Sequence, residues 1–143
     1  MPLTVYQDDK SIRDDDTLFR RIPLLQIVKD DDTGLARVSS GAFKDKDLSV
    51  NIKSVLDGMG LGPEDCIINR STQKLVAFTA GEVRQLNQTV SHDPLPENPA
   101  HGIVYGSKSR TVQKGLMAAA AWVIPAKAQR YEEIEVEKHA IGM

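Results

Sequence analysis

Two histidines bracket a proline-rich run in the stretch Ser91 to Gly106, S-H-D-P-L-P-E-N-P-A-H-G-I-V-Y-G. His92, Asp93 and His101 are residue types that could supply two metal ligands with a carboxylate, or a general base with the group that orients it. The chain has no H-E-x-x-H and no cysteine cluster, so no metal site is expected and the three stand as catalytic candidates. His101 ranks first: His92 precedes the prolines among solvent-type neighbours, whereas His101 joins the stiff arm to the strand-type run Ile103 to Tyr105. The competing reading makes His92 an exposed residue and His101 a hydrogen-bonding post in a buried loop.

A second candidate follows at once. Gly106-Ser107-Lys108-Ser109-Arg110 lies between a predicted strand and a predicted helix, where free N–H groups and the helix dipole favour an anion. Ser107, Lys108, Ser109 and Arg110 would add donors. The alternative is a capped helix with ordinary surface charges. Arg20, Arg21, Arg37, Ser39 and Ser40 are also parts that an NAD site of the ADP-ribosyltransferase kind would use.

The elements that must position these residues are read from period and punctuation. Pro94, Pro96 and Pro99 fix their own φ and extend the residues before them, so the arm is stiff and non-helical. Strand pieces are expected at Leu3 to Tyr6, Leu18 to Ile22, Leu24 to Val28, Leu35 to Phe43 with a bulge at Gly41, Cys66 to Ile68 and Lys74 to Phe78, the last two forming a hairpin. Ile52, Val55, Leu56 and Met59 share a helix face, with Asp47 or Ser49 as its cap. Pro63 opens a brief helical turn, and Thr79 with Glu82 has capping-box spacing. The main helix is expected from Lys108 to Ile124, with Trp122 buried, and the segment from Arg130 to Lys138 fits an edge strand or an induced helix.

The chain of 143 residues suits one domain, and at that size folding buries about 68% of the unfolded surface, enough for a core without staples. Residues 1–17 read as an acidic, flexible leader, 18–125 as a single globular domain and 126–143 as a tail. The expected fold class is α+β, a small antiparallel or mixed sheet packed by the long helix of the second half. A net charge of −2 argues against nucleic acid as the partner, and the longest strongly apolar run, Leu116 to Ile124, is too short to cross a membrane. One cysteine, Cys66, points to a reducing, cytoplasmic setting.

The motifs R-V-S-S-G-A-F (Arg37 to Phe43) and D-P-L-P-E-N-P-A-H (Asp93 to His101), with L-F-R-R-I, T-A-G-E-V-R and A-W-V-I-P, resemble a group of small uncharacterised bacterial proteins over about residues 18 to 125. The resemblance implies a bacterial origin and carries no mechanism or cofactor. The expected function is a binding or accessory module of a larger bacterial cytoplasmic assembly, its partner another protein of the same system. The alternative is an enzyme acting on a nucleotide or NAD-like phosphate compound, with His101 as acid or base and the Ser107 to Arg110 turn holding phosphate.

Overall fold

The alternation Leu48, Val50, Ile52 against Asp47, Ser49, Asn51 is a period of two, and it builds the strand at the middle of the sheet. The computed structural model describes residues 5–143. Its strands are β1 (Thr17–Pro23), β2 (Ile27–Lys29), β3 (Ala36–Val38), β4 (Asp47–Ile52), β5 (Gln73–Thr79), β6 (Thr89–His92), β7 (His101–Tyr105) and β8 (Ala121–Ile124). Six form one antiparallel sheet in the order β6-β7-β4-β1-β5-β8, while β2 and β3 make a separate ribbon. The helices are α1 (Lys53–Gly58), α2 (Ala80–Arg84), α3 (Arg110–Ala119) and α4 (Tyr131–Ala140). The fold is α+β, as expected.

The two faces of the sheet are unequal. Leu18, Ile22, Leu48, Val50, Ile52, Val76, Phe78 and Val104 point to the larger core, which α2 and α3 close through Val83 and Leu116. Phe19 and Leu75 point the other way, into a small second core with Leu56, Cys66 and Ala100. That thinner face is only partly covered, by α1, the 3-10 turn Pro63–Cys66 and the proline arm.

Several expectations are corrected. The helix expected over Lys108 to Ile124 ends at Ala119: Ala120 is already extended and Ala121–Ile124 pair with β5. The β-branched and aromatic W-V-I run satisfies open backbone groups of β5, which outweighs the helical preference of the alanines before it. Trp122 therefore stands on an edge strand opposite Val76 and is half-buried. Ile52 ends β4 and does not open a helix; α1 starts after it, with no cap from Asp47 or Ser49. Cys66 to Ile68 form no hairpin with β5, because Cys66 closes a 3-10 turn and Ile68 is exposed. Gly41 lies in a 3-10 turn, Ser40–Phe43, capped by Ser39, and no bulge forms there. The turn at Pro63 and the Thr79–Glu82 capping box form as read.

The leader, from Tyr6 on, and the C-terminal segment are both tied to the domain. The strand expected at Leu3 to Tyr6 falls partly outside the described residues; Tyr6 itself packs on Tyr105, ring centroids 5.7 Å apart. Within the acidic leader Ile12 is buried, and Arg84 holds the segment with Nε to Asp8 at 3.1 Å, Nη1 to Asp14 at 2.7 Å and Nη2 to the Asp9 carbonyl at 2.9 Å. One arginine thus neutralises two carboxylates that would otherwise repel. The Asp9 amide donates to Val90 O and the Val90 amide to Asp8 Oδ1, so the leader also covers the open edge of β6. At the other end α4 buries Ile134, and Lys138 Nζ donates to Ile27 O at 2.9 Å. Among the described residues no helix is long and apolar enough to cross a membrane.

Arg84→Met should keep the side chain's stem but drop three charge-assisted bonds, at a cost of about 2 kcal/mol in chemical denaturation. Exchange of the Val90 amide should accelerate in the variant; unchanged protection there would show that the leader is held by other contacts.

Candidate functional site

His101 opens β7, and its position across from β4 decides its surroundings. Asn51 pairs with His101 and Ser49 with Ile103, so Ser49, Asn51 and His101 share the thinly covered face of the sheet. Phe19 pairs with Asn51 on the other side of β4, and Arg21, two residues along β1, projects to the same face. Four polar side chains from three adjacent strands meet there.

The proline arm closes over them. Leu95 and Asn98 exchange backbone hydrogen bonds at 3.0 Å in both directions, which makes the tip a tight turn. The Asp93 amide donates to His101 O, and Ile52 N donates to the carbonyl of the fully buried Ala100. Asn98 Nδ2 reaches Asn51 Oδ1 at 2.7 Å, pinning the arm to the floor of the sheet.

His101 is held at both ring nitrogens. Nδ1 lies 2.9 Å from the Asp93 carbonyl and 3.2 Å from its Oδ2, and Nε2 lies 3.2 Å from Ser49 Oγ. A carbonyl only accepts, so Nδ1 carries a proton, and in the neutral ring Nε2 then turns a lone pair to the Ser49 hydroxyl. Ser49 can then donate to His101. His92 is not part of this set: it pairs with Gly102, is exposed, and its Nε2 meets Pro99 O at 2.7 Å. Asp93 joins His101 and His92 does not. Among the described residues no three His, Cys, Asp or Glu side chains converge as a metal-holding group.

Beside these residues is a cavity of about 460 Å³, floored by Arg21, Ser49, Asn51 and His101 and rimmed by Leu56, Met59, Leu61, Ile68 and Leu95. Cys66 lines it too, but burial pushes its thiol up to about 11, so it is neither a thiolate nor a nucleophile near neutral pH. Arg21 spends one N–H on Cys66 O at 3.4 Å. Asn51 is 5% exposed; its Oδ1 is taken by Asn98, and its amide N–H groups have no acceptor among the described residues.

Of the turn expected to hold an anion, Lys108 is engaged within the chain. Lys108 Nζ donates to the carbonyls of Lys46, Val104 and Gly106 at 3.0–3.1 Å. Ser109 Oγ accepts from Val112 N as the cap of α3, Ser107 O accepts from Gln88, and Arg110 is exposed. Ser109 thus caps α3 as in the capped-helix alternative, whereas the half-buried Lys108 is not an ordinary surface charge. The arginines and serines weighed as an NAD site also separate: Arg20 turns to the opposite face from Arg21 and donates to Ser49 O and Ala42 O at 3.0 Å, while Ser39 caps its own turn.

Sequence reading singled out His101 and Asp93, and weighed Arg21 in another role. It missed Ser49, Asn51 and Asn98, although the alternation in D-L-S-V-N-I was there to be seen. Comparison with protein-family models, with curated proteins and with solved structures gives no match for this chain.

Burial lowers the Lys108 pKa to about 8, from an ordinary value of 10.5. Between those values the unfolded chain holds a proton that the folded chain has released, so stability should rise with pH across that window; below about 8 the burial penalty is paid in full. Lys108→Met should flatten the rise. Denaturation curves on either side of pH 8 for both proteins test this, and an equal rise in the variant would assign the titration to another group.

Proposed function

We propose that this chain is a binding module of a larger bacterial cytoplasmic assembly, and that the cavity over β1, β4 and β7 is where it takes hold of another protein of that system. One observation carries the reading: three of its large exposed apolar side chains, Met59, Leu61 and Ile68 at 43%, 37% and 78% exposure, gather at the mouth of a cavity whose floor is polar. Scattered exposed apolar residues need no explanation, but a group of them around a concave, hydrogen-bonding floor suits an anchor residue from a partner. The rim would bury the partner's apolar side chain while Arg21 and Asn51 pair with carbonyl or carboxylate groups beside it.

The proline arm serves this role by being stiff. Leu95 and Asn98 are already locked in the turn, so little conformational freedom is lost when they meet a partner. The bacterial setting rests on the motif resemblance, and a single buried cysteine asks for no oxidising compartment. The enzymatic reading built on phosphate is weakened, since Lys108 Nζ donates to three carbonyls within the chain. Nucleic-acid binding is disfavoured in the same way: Arg20 and Arg21 face opposite sides of the sheet and cannot join Lys108, Arg110 and Lys114 in one basic surface.

A photo-crosslinking amino acid at position 68, expressed in the native host, should give one dominant adduct. Leu61→Glu should weaken it at least about tenfold, the loss expected for an anchor worth roughly 1.4 kcal/mol or more. Recovery of uncrosslinked monomer alone, in cells where the protein is abundant, would count decisively against a partner at this face.

A further inference from the structure

We propose that the same cavity is a nucleophilic acyl-transfer centre, in which Ser49 attacks a carboxylic ester, His101 serves as general base and Asp93 is the positioning residue. The inference goes beyond the binding reading and does not need the partner. It rests on an ordered relay: Ser49 Oγ to His101 Nε2 at 3.2 Å, and His101 Nδ1 to the Asp93 carbonyl at 2.9 Å and its Oδ2 at 3.2 Å. Nucleophile, base and orienting group thus stand in sequence, each within reach of the next, which is the geometry by which such a centre is recognised on any fold. The tautomer is the productive one, because the Asp93 carbonyl requires the proton on Nδ1.

A relay alone is not enough; charge developing on the substrate oxygen must also be met. A recess of about 60 Å³ lies directly beside Ser49, lined by Arg21, Asn51, Asn98 and His101. Asn51 is nine-tenths buried and has amide N–H groups without an acceptor among the described residues, fixed in orientation because its Oδ1 is held by Asn98. Donors held in place before the substrate arrives are what stabilises an oxyanion. The cavity rim at Leu56, Met59, Leu61 and Leu95 gives the acyl or alcohol portion an apolar seat, and its volume suits a short ester.

The chemistry balances with water as the only co-reactant. The Ser49 hydroxyl proton passes to His101 Nε2 as Oγ bonds to the ester carbon and the carbonyl electrons move onto oxygen beside Asn51. Collapse of this intermediate breaks the bond to the alcohol oxygen, which leaves with the proton from Nε2. Water then repeats the sequence: it yields a proton to Nε2 and attacks the acyl carbon, the bond to Oγ breaks, and Ser49 takes the proton back. The products are a carboxylic acid and an alcohol.

The test uses the full chain with a fluorophosphonate probe and with p-nitrophenyl butyrate. Expected is a covalent adduct mapped by mass spectrometry to Ser49, and ester hydrolysis that Ser49→Ala abolishes and His101→Gln lowers at least about 100-fold. Asp93→Asn should lower kcat while leaving KM in place, because the Asp93 carbonyl still holds the ring; a purely structural role would show as lost stability with kcat kept. Should Ser49→Ala fail to fold, Ser49→Cys decides: it should gain labelling by iodoacetamide that His101→Gln suppresses. Absence of any adduct at Ser49 in the folded wild type, together with hydrolysis no faster than in Ser49→Ala or Ser49→Cys, overturns the proposal, and does so whether or not position 68 crosslinks to a partner.

Discussion

The pairing of β4 with β7 is the contact on which the rest of this molecule depends. It joins two segments about fifty positions apart in the chain, and it fixes which residues share a face. Gly102 makes the join possible. A Cβ there would lie 2.9 Å from Ile52 Cδ1 and 3.1 Å from Ser91 O, so any larger residue would push apart the strand on one side or the core on the other. With Gly102 in place Ile52 packs fully against the larger core, and Asn51 and Ser49 are left facing away from it beside His101. A register slip by one residue would exchange these roles, burying polar side chains in the main core and exposing Leu48, Val50 and Ile52. The hydrophobic effect on one face therefore sets the polar geometry on the other.

The arm completes what the ladder begins. A loop laid over a sheet must satisfy its backbone groups or lose the energy of burying them, and this one does so through Leu95 with Asn98, Asp93 with His101, and Ala100 with Ile52. Three prolines reduce the number of N–H groups that need partners while limiting the conformations the unfolded arm can explore. The arm is thereby rigid without being thickly packed. This explains why an open cavity survives beside it: the second core has too few apolar side chains to fill the space between α1, the turn at Pro63 and the arm.

Much of this was legible in the sequence where a local signal and its tertiary setting agree. The Thr79–Glu82 box, the turn at Pro63, the run Ile103 to Tyr105 and the α+β class all rest on such agreement. The misreadings share one cause. Ile52 belongs both to the alternation Leu48-Val50-Ile52 and to the helical spacing with Val55, Leu56 and Met59, and following the second period back across the strand conceals Ser49 and Asn51. Likewise Ala118 to Ala121 continue a helix pattern until an open strand edge claims Ala121 to Ile124. The acidic leader shows no sign of order in its own composition, because the order comes from Arg84, seventy residues later. Period reports which face a residue takes, but not which distant strand will lie beside it.

A histidine bonded at both nitrogens is ordinarily a sign of structure, since each bond lowers the cost of burying the ring. Here the bonds do not have equal roles. The Nδ1 contacts to Asp93 tie together the two ends of the arm, and that suffices to hold the loop. The Nε2 contact adds little of that kind, because Ser49 is already fixed by the β4 ladder and its hydroxyl borders the cavity. Asn51 and Ser49 are tied within the chain as well, Asn51 Oδ1 by Asn98 Nδ2 and Ser49 Oγ by His101 Nε2. The polar floor thus holds the arm through Asn98 and Asp93 and the turn through Cys66 O, placed where the sheet is least covered. Arg21, Ser49 and Asn51 also line the cavity, so the polar side chains that hold the arm and the turn at Pro63 are the ones the cavity presents.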